Sequence, residues 1–453
     1  MADSNILSTS AARVSANANA NANANANANA NANASVDPRT LSPPTPKPLG
    51  GRFCCPCRVC CKCSMCFVTS CIDSCKTIFC VGCCLKPKKP SWNKRFEISI
   101  DVVRNVSFNV DPDYRQMRFI LDHDVPSWTP NMPKGIRFQR GDQLLSVGLG
   151  SLSNSNSLIS MSSSSSSEVP IYNHSLGYEW VYHELEGPPC EEQSNILNPE
   201  LRRRRIILYF HGGAFVFGTR ASHRMLLYHL ASVTGATVLS IEYRKSPDHP
   251  YPVPPLDCFE AYKWLVKNVD DPSSQIFVAG DSAGGSLAVE TLIRCRDAKL
   301  TSPAGGILLS PWCDIFNTVD PSFTSNLNYD FIPPYLVGYC AESYCPAPLD
   351  AKLPSVINMP LAGLPPLHIA VGDSEVLRDQ ILRFAETARS QSVDVRVKSY
   401  SDMPHVFQLL VFTELKTIFD SLNDIKLFID SFRSKEEKDA FSIESVKVSV
   451  VPV

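Results

Sequence analysis

The sequence predicts an α/β fold in which helices cover both faces of a mostly parallel sheet. From residue 178 onward, short apolar runs alternate with longer segments of helical periodicity. Runs such as "IILYF", "QIFVAG" and "LHIAV" are almost wholly apolar, which is typical of strands buried on both faces. The segments between them, such as "GGSLAVETLIRCRDA", are long enough to form the crossover helices that join parallel strands.

Composition shifts divide the 453-residue chain into five regions. They are 1–53, a disordered low-complexity segment with an Asn-Ala repeat; 54–90, a Cys-rich segment; 91–177, an N-terminal cap region that contains a Ser-rich loop; 178–435, the α/β domain; and 436–453, a tail. Within the α/β domain, residues 315–360 break the strand–helix rhythm with Pro, Asn and Tyr. This length between two strands predicts a cap insertion.

Charge and hydropathy argue against several classes of protein. The formal net charge is −2, so no basic field indicates a nucleic-acid partner. The Arg run at 202–205 is interpreted as the solvent-exposed start of a strand. No uncharged apolar run reaches the roughly 18 residues of a membrane-spanning helix. The first residues lack a secretory pattern, and six cysteines are scattered as isolated thiols, so we expect a cytoplasmic protein.

The sequence "QIFVAGDSAGGSLAVE" predicts a nucleophile. It contains Gly-Asp-Ser-Ala-Gly at 280–284, between a strand-like run and a helical one. A serine at such a sharp strand-to-helix turn exposes its hydroxyl, and the flanking glycines let neighbouring backbone pass closely. Ser282 is therefore the candidate catalytic nucleophile.

A serine hydroxyl needs a base and an orienting acid. His405 follows the last strand candidate, in the loop "SYSDMPHVFQ", and is the candidate base. The acid is expected after the strand "LHIAV", where Asp373 and Glu375 both occur in "VGDSEVLRDQ". The chain order Ser, acid, His holds for either carboxylate, so both remain candidates.

The stretch "YFHGGAFVFG" at 209–218 predicts an oxyanion hole. Backbone amides of Gly212 and Gly213, with that of Ala283, are the candidate donors to the negative oxygen that forms when an ester is attacked. His211 is expected to hold the shape of this loop rather than to transfer protons. The two phenylalanines of the stretch are predicted either to pack or to line an acyl pocket.

Several separated motifs together resemble the hormone-sensitive lipase family of α/β-hydrolases, which includes arylacetamide deacetylases and class IV bacterial esterases. The family's His-Gly-Gly-Gly motif is matched by "HGGA" at 211–214, and its Gly-Asp-Ser-Ala-Gly motif is unchanged at 280–284. Between them, "YRKSPDHPYP" is similar to the family's Tyr-Arg-Leu-Ala-Pro-Glu-His-Pro-x-Pro segment. The resemblance extends over residues 178–432.

The resemblance implies a serine hydrolase that cleaves esters or acetyl groups of small apolar or lipid-like molecules through an acyl-enzyme. It implies no metal and no organic cofactor. Aligning "EVLRD" with the family's Asp-x-Leu-x-Asp motif places Glu375 at the catalytic acid, a departure from the commoner Asp that keeps Asp373 as an alternative. A hydrolase-fold receptor that binds a small molecule without turnover is a second hypothesis, although such receptors lack the catalytic His that this chain retains at 405.

The Cys-rich segment lies outside the resemblance. Twelve of the 18 cysteines fall within 54–84, interleaved with Phe, Val and Ile and followed by lysines. Several acylated thiols beside basic residues would attach the protein to the cytoplasmic face of a membrane. The repeated Cys-x-x-Cys spacing also suits zinc, which would give this segment a metal-binding or scaffolding role, and a disordered thiol-rich tail is the third interpretation.

Overall fold

The computed structural model describes seven ranges of the chain. They are 88–109, 136–141, 146–147, 174–183, 205–269, 274–346 and 354–432. The predictions made for the low-complexity segment, for the cysteines of 54–84, for the Ser-rich loop and for the tail lie outside these residues.

One eight-stranded sheet organises the described residues. Its strands are β1 (Ile136–Gly141), β4 (Gly177–His183), β5 (Arg205–Phe210), β6 (Thr237–Glu242), β7 (Gln275–Asp281), β8 (Gly305–Leu309), β9 (Leu367–Gly372) and β10 (Val395–Tyr400), and a separate pair is formed by β2 (Ser146–Val147) and β3 (His174–Ser175). The spatial order is β1-β4-β6-β5-β7-β8-β9-β10. Within the eight-stranded sheet the β1–β4 and β4–β6 pairs are antiparallel and the other pairs are parallel, which confirms the predicted fold class.

Helices connect the parallel strands. The α-helices are α1 (Lys94–Asn109), α2 (Arg220–Thr234), α3 (Val253–Asn268), α4 (Ala283–Asp297), α5 (Pro321–Ser325), α6 (Pro334–Tyr344), α7 (Arg378–Ser390) and α8 (Lys416–Asp430), with 3₁₀ turns at Val356–Asn358 and Phe407–Thr413. Helix α2 shows how local sequence sets these bounds. It begins with a capping box between Thr219 and Ser222 and ends at Gly235, whose φ is 67°. None of the helices in the described ranges is long and apolar enough to span a membrane.

The core lies on both faces of the sheet. Alternate residues of β5 point to opposite sides, so Ile206 and Leu208 belong to one buried cluster while Ile207 and Tyr209 belong to the other. Each cluster also contains side chains of the helices on its face. Burial on both sides explains why the central strands read as continuous apolar runs.

The sheet begins earlier in the chain than residue 178, the boundary predicted from the sequence. Strand β1 pairs with β4 from Ile136↔His183 to Gly141↔Tyr178. Part of the predicted cap region 91–177 therefore belongs to the main sheet. This strand carries the polar sequence "IRFQRG", and only its first residue is buried, so it lacks the apolar run by which the other strands are recognised.

The segment predicted as a cap insertion contributes to the main core. In the described part of 315–360, helices α5 and α6 bury Phe323, Val337 and Tyr344 in the same cluster as the central strands. The segment therefore packs against the body of the domain, close to the loops that follow β9 and β10.

Candidate active site

Ser282 occupies a strained turn between β7 and α4. Its φ of 52° and ψ of −120° are a conformation that side-chain-bearing residues rarely adopt. The backbone is held there by a hydrogen bond from Ser282 N to the Leu309 carbonyl at 2.9 Å. A Cβ on Gly280 would overlap the Gly284 backbone, and one on Gly284 would overlap the Phe210 carbonyl. The two glycines of the motif are thus required by close backbone packing.

Glu375 and His405 form a direct pair. The Oε2 atom of Glu375 lies 2.7 Å from the Nδ1 atom of His405, and its Oε1 atom accepts from the Gly372 amide at 3.1 Å. Both side chains are buried. The carboxylate accepts a hydrogen bond from Nδ1–H, so the lone pair of the neutral ring lies on Nε2, where it can accept a proton.

The surroundings of His405 raise its pKa above the usual value. Burial alone lowers it, because burial disfavours the charged ring. The hydrogen bond and charge of Glu375 raise it, and the charges of Asp330 and Asp281 add to that effect. The balance stabilises the imidazolium that a general base becomes once it has taken a proton.

The other candidate acid, Asp373, is directed to a different partner. Its Oδ1 atom accepts from the Asp402 amide at 2.7 Å and from the Ser374 hydroxyl at 2.9 Å. These contacts close the turn after β9 against the loop after β10. Of the two candidate carboxylates, Glu375 is the one that contacts His405.

The end of β8 lies between the nucleophile and the base. Leu309 accepts the hydrogen bond from Ser282 N described above, and the next residue, Ser310, accepts from the Val406 amide at 3.1 Å. One dipeptide therefore contacts both the Ser282 backbone and the residue that follows His405. The sheet order explains this arrangement, because β8 lies between β7 and β9 and the carboxyl ends of all these strands meet at one edge.

The loop after β5 has an unusual backbone. Gly213, Ala214 and Phe215 have φ values of 114°, 54° and 62°. The turn is closed by hydrogen bonds to the Gly213 carbonyl from Val216 N at 3.0 Å and from Phe217 N at 2.7 Å. Three consecutive left-handed residues, two of them with side chains, store backbone strain of the kind that functional loops carry.

The prediction that Gly212 donates to the oxyanion is wrong. Its amide already donates to the Asp281 carboxylate at 2.9 Å, and a Cβ at this position would overlap that carboxylate. Within the described residues, the amides of Gly213, Ala214 and Ala283 have no acceptor. Sequence reasoning missed Ala214 because it looked for bare glycine, although any residue can present its backbone N–H.

A buried carboxylate connects this loop to the nucleophile strand. The Asp281 carboxylate accepts hydrogen bonds from the Gly212 amide and from the Tyr209 hydroxyl, the latter at 2.8 Å. Its Oδ2 atom lies 3.2 Å from His223 Nε2. Burial raises the pKa of Asp281, but the charge and hydrogen bond of His223 outweigh it and hold the pKa below its usual value. The residue before Ser282 is thus an ionised anchor for the neighbouring loop.

His211 contacts the loop backbone and an aromatic ring. Its Nδ1 atom lies 2.8 Å from the Gly212 carbonyl, and its ring stacks on that of Tyr243 with centroids 4.4 Å apart. The Tyr243 hydroxyl donates to the His211 carbonyl at 2.8 Å. Burial lowers the pKa of His211 to about 3, so the ring is neutral near pH 7 and suits the loop-shaping part expected for it.

The two phenylalanines of the loop are packing residues. Phe215 stacks on Tyr344 of helix α6 with ring centroids 3.7 Å apart, and also on Trp312. Phe217 is buried in the same cluster. The Phe215 carbonyl accepts from the Ser246 amide at 2.9 Å, so the segment "YRKSPDHPYP" supports the strained loop from outside.

Together these groups have the composition of an acyl-transfer site. A serine on a sharp turn, an imidazole oriented by a carboxylate, and backbone amides without acceptors are the parts that attack on a carbonyl group requires. Among the described residues, no group of three or more His, Cys, Asp or Glu side chains is arranged to hold a metal ion.

Known proteins share this fold. Residues 207–409 match a family model described as an α/β-hydrolase fold. An acetyl-hydrolase from Streptomyces hygroscopicus is 34% identical over 213 residues, 47% of this chain and 71% of the relative. An esterase from Acinetobacter venetianus is 32% identical over 210 residues, 45% of this chain and 68% of the relative. The crystal structure of an esterase from the bacterial hormone-sensitive lipase family superposes with a TM-score of 0.59 and 27% identity, covering 74% of this chain and 97% of that one.

Proposed function

The chain belongs to the hormone-sensitive lipase family of α/β-hydrolases, and from this premise we propose that it cleaves carboxylic esters or acetyl groups of small apolar or lipid-like molecules through an acyl-enzyme on Ser282. It is a hydrolase of carboxylesterase type. The observation that carries the proposed mechanism is the 2.7 Å contact between Glu375 and His405, taken together with a serine held at a φ of 52°.

In the first half of the reaction, Nε2 of His405 takes the Ser282 proton while Oγ attacks the substrate carbonyl carbon. The tetrahedral intermediate carries one negative charge on the former carbonyl oxygen. Collapse breaks the bond to the leaving alcohol or amine, which receives the proton from His405, and the acyl group stays on Ser282. Glu375 accepts from Nδ1–H throughout and stabilises the imidazolium.

In the second half, His405 takes a proton from water, which attacks the acyl carbon and forms a second tetrahedral intermediate. Its collapse returns the proton to Ser282 Oγ and releases the carboxylic acid. In both halves the amides of Gly213, Ala214 and Ala283 donate to the oxyanion. Loss of one such donor costs about 3 kcal/mol of transition-state stabilisation.

Within this proposal we expect a preference for acetyl or short acyl groups, because one relative is an acetyl-hydrolase. It is tested by measuring kcat/KM for p-nitrophenyl acetate, butyrate, octanoate and palmitate with the full chain. Values that fall with acyl length support the proposal, and values that rise toward palmitate contradict the short-acyl preference.

The catalytic proposal is tested with a fluorophosphonate probe and the Ser282→Ala variant. We expect wild-type protein to be labelled at Ser282 and to hydrolyse p-nitrophenyl acetate, and the variant to do neither. Tight binding of esters by wild-type protein without labelling or turnover would instead support the non-catalytic receptor.

For residues 54–84 we propose S-acylation of several cysteines and attachment to the cytoplasmic face of a membrane. The support is a segment in which many cysteines alternate with Phe, Val and Ile and are followed by a basic run. One acyl chain alone anchors a protein only marginally, whereas several chains beside basic residues anchor it stably. Hydroxylamine-sensitive acyl labelling of full-length protein from cells, lost when these cysteines are changed to Ser, tests this. Stoichiometric zinc in acyl-free protein would favour the metal-binding alternative.

A further inference from the structure

A buried carboxylate from the 315–360 segment contacts both loops that carry the proposed acid and base. Asp330 has no exposed surface. Its Oδ1 atom accepts from the His405 amide at 3.2 Å and from the Phe331 amide at 2.8 Å. Its Oδ2 atom accepts from the Val376 amide, the residue after Glu375, at 2.7 Å. One side chain therefore joins the loop after β9 to the loop after β10.

The same turn makes a second contact with the acid loop. Asn326 accepts backbone hydrogen bonds from Tyr329 at 2.9 Å and from Asp330 at 3.1 Å, which closes the turn. Its side-chain amide donates to the Glu375 carbonyl at 2.9 Å and to the Asp373 carbonyl at 3.0 Å. The backbone on both sides of Glu375 is thus tied to one turn, the turn that also ties the backbone of His405.

Retaining a carboxylate at this place has an electrostatic cost. Burial raises the pKa of Asp330 to about 6, although the charge of His405 and the Val376 amide oppose that rise. Glu375 is a second carboxylate nearby and raises the pKa further. Arg104 of helix α1 lies beside Asp330, but it donates to the Asp330 backbone carbonyl, at 2.7 Å. A neutral side chain would fill the same space without a buried charge, so the charge itself calls for an explanation.

We propose that Asp330 is a positioning residue for the hydrolytic reaction: it fixes the Glu375 and His405 loops relative to each other and places a negative charge beside His405. The inference rests on the proposed acyl-enzyme mechanism. It assigns a part in the reaction to a segment that carries none of the proposed reacting groups. A carboxylate that accepts from the His405 amide lies close to the ring on which positive charge develops, and it stabilises that charge without touching substrate.

The effect on proton transfer follows from the charges that face His405, which are Glu375, Asp330 and Asp281. All three raise its pKa. Removing the charge of Asp330 lowers the pKa of His405, so the acid limb of the kcat/KM profile, where the base becomes protonated, moves to lower pH. A residue that only stabilises the fold would leave this limb in place.

The experiment compares Asp330→Asn with Asp320→Asn in the full chain. Asp320 belongs to the same segment, is 9% exposed, and pairs with Arg383 rather than with either loop, so it is the matched control. For Asp330→Asn we expect kcat for p-nitrophenyl acetate to fall about 10- to 100-fold, KM to stay within about twofold, and the acid limb to move to lower pH. Asp320→Asn should keep the wild-type kcat and acid limb, whatever its melting temperature.

A second variant keeps the inference falsifiable if Asp330→Asn folds poorly. Asn326→Ala removes the two bonds to the acid loop but no charge, so we expect a smaller loss of kcat with the acid limb unmoved. Wild-type kcat and acid limb in a folded Asp330→Asn protein, or wild-type kcat in Asn326→Ala, would overturn the inference while the proposed function stands. Absence of fluorophosphonate labelling in wild-type protein would overturn the proposed function, and the inference with it.

Discussion

Replacing Glu375 by Gln tests the arrangement of the acid and the base. The carboxylate accepts two hydrogen bonds, from the Gly372 amide at 3.1 Å and from Nδ1–H of His405 at 2.7 Å. A glutamine offers one oxygen and one NH₂ group. The Gly372 N–H is a fixed donor, so the glutamine oxygen must face it and the NH₂ group must face His405. The ring can meet an NH₂ donor only with Nδ1 unprotonated, which moves the proton to Nε2.

With its proton on Nε2, His405 cannot accept the proton of Ser282. The same change of tautomer at the acid of a serine protease lowers kcat about 10,000-fold, so we expect a loss of about 1,000- to 10,000-fold here, or about 4–5 kcal/mol. The control is Asp373→Asn, in which the amide oxygen still accepts from the Asp402 N–H. For this control we expect a loss of less than about threefold, or about 0.6 kcal/mol.

The assay measures p-nitrophenyl acetate hydrolysis over a range of substrate concentrations, which gives kcat and KM. The second-order rate constant of fluorophosphonate labelling is measured beside it. Both rates report proton transfer from Ser282, so both should fall in Glu375→Gln. Near-normal rates in Glu375→Gln, with a large loss in Asp373→Asn, would refute the reasoning and transfer the acid role to Asp373.

Three further predictions concern the loop, the base and the core. Gly213→Ala should lower the free energy of unfolding by about 1–3 kcal/mol and kcat by at least about tenfold, because φ is 114° and a Cβ would overlap the Phe217 carbonyl. Gly235→Ala is the control: its φ is 67° but the space around it is open, so we expect a loss of about 1 kcal/mol with unchanged kcat. Denaturant unfolding and steady-state kinetics measure the two quantities. For wild-type protein kcat/KM should fall as pH decreases through the raised pKa of His405, since only the neutral ring accepts a proton; an acid limb centred below the ordinary value of 6.5 in a pH–rate profile would contradict this. Tyr344→Ala should lower the unfolding free energy by about 3–5 kcal/mol through loss of the ring that stacks on the oxyanion loop, while Tyr344→Phe should change it little, and equal melting temperatures for the two variants would refute that account.

Much of the site could be predicted because its parts are local. A strand, a glycine-flanked serine and a helix in succession identify Ser282, and a His in the loop after the last strand identifies His405. The choice between Asp373 and Glu375 could not be made from the residues alone, since both follow the same strand. It depends on which carboxylate contacts the Gly372 amide and His405, and tertiary contacts decide that.

The errors have the same origin. The amide of Gly212 was expected to be free, but Asp281, distant in sequence, accepts from it. Strand β1 lacks an apolar run because it pairs with a single neighbour at the edge of the sheet and only its first residue is buried. Asp330 and Asn326 belong to no motif, and their contacts with the acid and base loops exist only in the folded chain.

The bond between the Gly212 amide and Asp281 limits how this enzyme can be redesigned. A library that varies residue 212 to admit bulkier esters puts a Cβ where the carboxylate of Asp281 lies, so substitutions at the two places will not combine additively. Engineering for a new substrate should keep Gly212 and Asp281 together as one unit and draw its diversity from positions that neither of them touches.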